Sequence, residues 1–304
     1  MGALDPRIAE LLDELERSDA TPVTGGTAED ARRRYRELVL GRRGDAPPEP
    51  VDDVADTAVP GPGGSVPVRV YTPADPIGVA VWAHGGGWVA GDLDTHDSLC
   101  RHVTNEVGAI VVSVDYRLAP EHPFPAGLDD VVAVLHWAHA RWRDLPLAVA
   151  GDSAGANIAG AAALRARDEG PPLRAQLLLY PTIDTTSGGH AGSNRRGFPT
   201  AADLRWFLDQ YLPVPDGRHH PHADLLTTPN LARLPPAVLA LAEFDVLREE
   251  GKAYADRLRA AGVTVACLPG NGMVHGYFGM ADRVESARLQ RQDVLDTFAA
   301  LLAR

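Results

Sequence analysis

The chain has 304 residues, 45% hydrophobic and 23% charged, an ordinary globular balance with enough length for one large α/β domain or two modest ones. A formal charge of −12 repels phosphate backbones and anionic lipid, so neither nucleic acid nor a membrane surface is an expected partner. Residues 1–20 break their apolar positions with acids, unlike a secretory signal, and no later run approaches the ~20 apolar residues of a membrane span. Cys100 and Cys267 have no paired spacing, which fits a reducing, cytoplasmic setting, and Cys267 reads as a small core residue.

Along the chain, Ile8, Leu11, Leu12 and Leu15 recur at helical spacing behind Pro6, and a second helix is predicted over 28–40 with Tyr35 and Leu38 as its anchors. Gly- and Pro-rich stretches at 41–50 and 60–64 read as a linker and a hairpin-like turn. From Val66 onward, strand-like runs at 67–71, 79–83, 109–115, 147–150, 175–180, 237–242 and 263–268 are predicted. Helical patterns at 99–106, 128–142, 154–167, 251–261 and 284–302 separate or follow them. Near-continuous apolar strands between helices predict an α/β fold with a mostly parallel sheet covered on both faces. Between Tyr180 and Ala237 the rhythm breaks, leaving only an aromatic helical segment at 201–212; so long an insertion reads as a functional lid.

Two glycine motifs stand at strand ends. Gly151-Asp152-Ser153-Ala154-Gly155 lies between a buried strand and an Ala-rich helix, the context that a G-x-S-x-G nucleophile elbow requires. His84-Gly85-Gly86-Gly87-Trp88 follows the strand at 79–83, and glycines there let amides approach a developing oxyanion. The amides of Gly85, Gly86 and Ala154 are the expected donors, with His84 supporting the loop. A serine hydroxyl needs an imidazole to remove its proton and a carboxylate to orient that imidazole. Of eleven histidines, His275 lies in the Gly-rich loop 270–276 beyond the last strand, whereas His219, His220 and His222 read as a solvated loop and no metal is expected. Asp245, following the strand at 237–242, leads Glu243, Glu249 and Glu250 as the acid, and the order Ser153, Asp245, His275 is that of α/β-hydrolases.

Together with residues 115–126 (Asp-Tyr-Arg-Leu-Ala-Pro-Glu-His-Pro-Phe-Pro-Ala), Glu243-Phe244-Asp245 and His275-Gly276-Tyr277, these motifs resemble the bacterial hormone-sensitive-lipase-like (family IV) carboxylesterases. The resemblance covers about residues 54–304 and is to the branch with Asp before the nucleophile. It implies an α/β-hydrolase fold with an eight-stranded, mostly parallel sheet. It further implies no cofactor and hydrolysis of short- to medium-chain acyl esters through an acyl-enzyme. It also implies a helical cap built from residues 1–45 and 185–225, with the core divided into 46–184 and 226–304. Trp88, Trp206, Phe207 and Tyr211 are candidates to line the substrate pocket, the last three equally well forming the cap's own core. A homodimer through the sheet edge near 263–268 is a family-style expectation. Val246 stands where the family usually has Pro, and Tyr277 where it often has Phe. An amidase, a small-molecule receptor and a dehydratase on the same scaffold are the alternatives; retention of His275 speaks against the receptor and of Ser153 against the dehydratase, which favours a hydrolase.

Overall fold

Five strands rich in Val, Ala, Leu and Ile, each with every residue buried, form the centre of the molecule: β3 (Val79–Ala83), β4 (Ile110–Val114), β5 (Leu147–Asp152), β6 (Ala175–Leu179) and β7 (Ala237–Ala240). Near-continuous apolar composition suits strands covered on both faces. With the hairpin β1 (Asp53–Gly61) and β2 (Gly64–Thr72) at one edge and β8 (Val265–Leu268) at the other, they make one eight-stranded sheet. The order is β1-β2-β4-β3-β5-β6-β7-β8, antiparallel between β1, β2 and β4 and parallel from β4 to β8. The computed structural model describes residues 2–17, 21–43, 47–189 and 197–304.

Side chains alternate between two cores. Val79, Val81 and Ala83 face one, with α4 (Ala126–Arg141), α5 (Ala154–Glu169) and α7 (Arg248–Ala260); Ala80 and Trp82 face the other, with α3 (Asp97–Val107) and α8 (Glu285–Leu302). This is the period-two geometry of a strand sorting residues to opposite faces. α5 lies unusually close to the sheet: a Cβ on Gly155 would fall 2.1 Å from the Ala83 carbonyl oxygen.

The remaining helices gather near the carboxyl ends of the strands. α1 (Pro6–Arg17) buries Ile8, Leu11 and Leu12, and the Asp5 amide donates to the Gly272 carbonyl at 3.1 Å. α2 (Ala28–Arg43) is docked by Arg32, which donates to the Val89 carbonyl at 2.9 Å, and by Arg36, paired with Asp92 at 2.8 Å and Asp94 at 3.0 Å. α6 (Ala201–Tyr211) is the aromatic segment; Thr200 caps it reciprocally with Asp203, and Leu204, Phe207, Leu208 and Tyr211 are buried.

Two expectations change. β1 has no counterpart in the sequence reading because most of its residues are exposed, so no apolar alternation marks it. Cys267 is half-buried on the edge strand β8 rather than in the core interior.

The contact between α5 and β3 is backbone to backbone and has no flexible side chain to yield. Gly155→Ala should therefore lower the free energy of unfolding by about 1–3 kcal/mol. Gly279→Ala, where an added Cβ meets nothing within 4 Å, should stay within about 0.5 kcal/mol. Urea denaturation midpoints compared at constant m-value check both.

Candidate active site

β5 ends at Asp152 and α5 begins at Ala154, so Ser153 must turn the chain alone, at φ 56° and ψ −120°. Such a backbone costs a non-glycine residue on the order of 1–3 kcal/mol and persists only where its surroundings enforce it. Here the Ser153 amide donates to the Leu179 carbonyl at 2.8 Å, and the Ser153 carbonyl accepts from Thr182 at 3.3 Å. A Cβ on Gly151 would sit 2.5 Å from the Gly155 carbonyl oxygen, so the turn requires glycine there. Ser153 Oγ is 2.9 Å from Nε2 of His275, whose Nδ1 is 2.6 Å from Asp245 Oδ2. The other Asp245 oxygen accepts the Leu247 amide at 3.0 Å.

Sheet register brings the acid and the imidazole together. Beyond the ends of β7 and β8, Phe244 and Val274 form one further parallel bridge, and the residues that follow them are Asp245 and His275. The loop carrying His275 is pressed against the end of β7: a Cβ on Gly270, at φ 63°, would lie 2.0 Å from the Leu241 carbonyl oxygen.

The rival acids are engaged elsewhere. Glu243 accepts the Gly272 amide at 2.9 Å and the Gly2 amide, which together hold its pKa below the ordinary value. Glu249 pairs with Arg248 at 2.9 Å near the surface. Glu250, the third rival, is 1% exposed. One of its oxygens accepts the amides of Ile183 at 2.7 Å and Asp184 at 3.2 Å. Burial pushes its pKa well above the ordinary value; the two amides oppose the rise, and the nearby carboxylates of Asp184 and Asp245 add to it.

The glycine loop continues directly from β3. Gly86 and Gly87 have φ of 120° and 62° and line the same cleft as Ser153 and His275. The expectation for Gly85 needs correcting. Its amide donates to Asp152 Oδ1 at 3.0 Å and lies 3.2 Å from His96 Nε2, so that donor is already committed. His84 supports the loop: Nδ1 is 2.8 Å from the Gly85 carbonyl oxygen, and its ring stacks on Tyr116 with centroids 4.3 Å apart. Burial, then His96, lowers the His84 pKa to about 4. The Tyr116 hydroxyl donates to the His84 carbonyl at 2.7 Å, so the 115–126 segment braces the loop from behind.

The cleft, its mouth included, encloses ≈ 470 Å³. Its apolar walls are Tyr35, Trp88, Tyr180, Phe198, Leu204 and Phe207. Of the four pocket candidates, Trp88 and Phe207 line this cleft, whereas Tyr211 lies behind Trp88, stacked on it at 4.5 Å, and Trp206 packs against Phe207 at 5.2 Å without lining the cleft. Tyr180 and Phe198 carry no sequence signal for this role, since it depends on where β6 ends and where residues 197–200 fold back. Among the described residues, no group of three or more His, Cys, Asp or Glu is arranged to hold a metal, and no helix is long and apolar enough to cross a membrane.

A family model for the alpha/beta hydrolase fold matches residues 80–279, spanning the glycine loop, the elbow and the His275 loop. The chain belongs to this family. It is 41% identical to Carboxylesterase NlhH of Mycobacterium tuberculosis over 93% of this chain and 92% of that one. It is 34% identical to Ethyl acetate hydrolase of Pseudomonas putida over 94% and 95% of the two chains. A solved esterase of Pyrobaculum calidifontis superposes with a TM-score of 0.88, at 32% identity, over 99% of this chain and all of the other. Within the family the chain is a carboxylic ester hydrolase of the hormone-sensitive-lipase-like type.

Because the folded-state pKa of Glu250 is raised, its contribution to the esterase's stability is full below the ordinary glutamic-acid value and is lost as pH climbs through the raised one. Glu250→Gln keeps an acceptor for the Ile183 and Asp184 amides without the charge. The variant should gain stability over the parent at pH 8 and lose that advantage by pH 4, as denaturation midpoints at the two pH values would record.

Proposed function

We propose that Ser153 is the nucleophile, His275 the general base and Asp245 the acid of an acyl-enzyme mechanism acting on short- to medium-chain esters. The observation that carries this reading is the hydrogen-bonded run from Ser153 Oγ through His275 to Asp245, at 2.9 and 2.6 Å, opening into a cleft walled by Gly86 and Gly87. Ser153 Oγ attacks the ester carbonyl while His275 Nε2 takes its proton, and Asp245 stabilises the imidazolium that forms. The oxyanion is received by amides of Gly86, Gly87 and Ala154, Gly87 replacing Gly85, whose N–H is engaged with Asp152. Each such donor contributes about 3 kcal/mol in the transition state. His275 then protonates the departing alcohol, and water repeats the sequence on the acyl-enzyme.

Chain-length preference follows from the walls. Phe198, Leu204 and Phe207 close the cleft with bulky side chains, and a relative whose name specifies ethyl acetate points to small substrates. We read residues 1–45 and 185–225 as the two parts of a cap, since Tyr35 from the first and Phe198, Leu204 and Phe207 from the second line the cleft.

Ser153→Ala should lose on the order of 10⁵–10⁶ in kcat, and Asp245→Asn about 10⁴, while Glu243→Gln should keep kcat within about threefold. Steady-state kinetics on p-nitrophenyl butyrate measure all three; most activity surviving in Ser153→Ala would overturn the nucleophile assignment. Across p-nitrophenyl esters, kcat/KM should peak at short or medium acyl chains and fall at least about tenfold by the dodecanoate.

A further inference from the structure

Asp152 precedes the proposed nucleophile, yet its carboxylate has no part in the Ser153–His275–Asp245 run. It is 6% exposed. Oδ1 accepts the Gly85 amide at 3.0 Å, and Oδ2 lies 3.3 Å from Nε2 of His96. His96 is itself held, with Nδ1 3.0 Å from Thr95 Oγ1. Thr95 in turn is tied to Asp92: its amide donates to Asp92 Oδ1 at 2.7 Å, and its hydroxyl donates to the Asp92 carbonyl and accepts the Asp92 amide, each at 2.9 Å. The fit is close, since a Cβ on Gly85 would fall 2.4 Å from Asp152 Oδ2.

A buried carboxylate is costly unless it is paired and hydrogen-bonded. Burial raises the Asp152 pKa, but His96, His84 and the Gly85 amide outweigh burial and hold it below the ordinary value. The charge therefore has a specific set of partners, and through Gly85 it joins the two segments whose separation matters for acyl transfer: the elbow, which carries Asp152, and the loop bearing the oxyanion donors. The peptide that Asp152 grips immediately precedes the amides of Gly86 and Gly87.

We propose that Asp152, supported by His96, is a positioning residue that clamps the Gly85 amide and thereby sets the distance between Ser153 Oγ and the oxyanion-facing amides. The inference rests on the reading of Ser153 as nucleophile. Its effect falls on the transition state, because the charge that those amides receive develops only as the tetrahedral species forms. A purely structural Asp152 would change the melting temperature and leave the kcat of the folded enzyme alone.

The test uses the full chain with Asp152→Ala, Asp152→Asn and His96→Ala. It reads kcat and KM on p-nitrophenyl butyrate per fluorophosphonate-titrated site, and inhibition by an alkyl trifluoromethyl ketone, which adds to the serine as a tetrahedral mimic. Asp152→Ala should lower kcat by about 30- to 300-fold with KM within about threefold, and weaken the ketone by a similar factor. Asp152→Asn, whose amide oxygen still accepts from Gly85, should recover to within about tenfold of the parent, and His96→Ala should fall between the parent and Asp152→Ala. The proposal is overturned if Asp152→Ala keeps kcat within threefold, if kcat falls without loss of ketone affinity, or if Asn rescues no better than Ala. Should Asp152→Ala not fold, His96→Ala decides: parental ketone affinity and kcat in that variant overturn the clamp. Ser153→Ala run in parallel keeps the premises apart, since hydrolysis surviving there defeats the nucleophile reading whatever Asp152 does.

Discussion

The close seating of α5 on β3 is the constraint on which the site depends. With no Cβ on Gly155, the helix rests against the Ala83 carbonyl, and with none on Gly151 the preceding strand can turn beneath it. β3 and β5 are hydrogen-bonded neighbours with Ala83 opposite Gly151, so the segments leaving them, the glycine loop and the elbow, emerge side by side. Side-chain volume at either glycine would separate Ser153, the proposed nucleophile, from the glycine loop. The strained backbone of Ser153 is tolerable because packing on both sides leaves no relaxed alternative.

Buried carboxylates surround this centre, and each is accommodated differently. Asp245 meets His275 and the Leu247 amide; Asp152 meets the Gly85 amide and His96; Glu243 takes two amides and braces the loop that carries His275. Glu250 receives two amides on one oxygen and has carboxylate neighbours, so the balance tips toward its neutral form. Hydrogen-bond supply, rather than depth alone, decides which acids can hold a charge in this interior.

The proposed cap reaches the chemistry through contacts rather than chain continuity. Phe207 of α6 lies where a Cβ on Gly87 would be, 2.3 Å from the nearest ring atom, so the same glycine that bares an amide also admits the roof of the cleft. Trp88 stacks on Tyr211 of that helix, and Arg32 and Arg36 of α2 hold the segment just beyond the glycines. The cleft and the glycine loop are consequently shaped by the same few packing contacts.

The motifs around Ser153, Asp245 and the glycine loop were legible in the sequence because each follows a fully buried strand, where an apolar run stops, whereas the His275 segment was marked by the glycines that follow the half-buried β8. The central strands were legible for the same reason, and the exposed edge strand β1 was not. The sequence by itself determined the chemistry available and the chain order of its parts. Only the tertiary structure decided that Gly85 gives its N–H to Asp152, that Glu250 is buried, and that Tyr211 backs the pocket while Phe198 lines it. Those outcomes depend on distances between segments far apart in the chain, and local residue pattern carries no record of which donor finds which acceptor once the strands have paired.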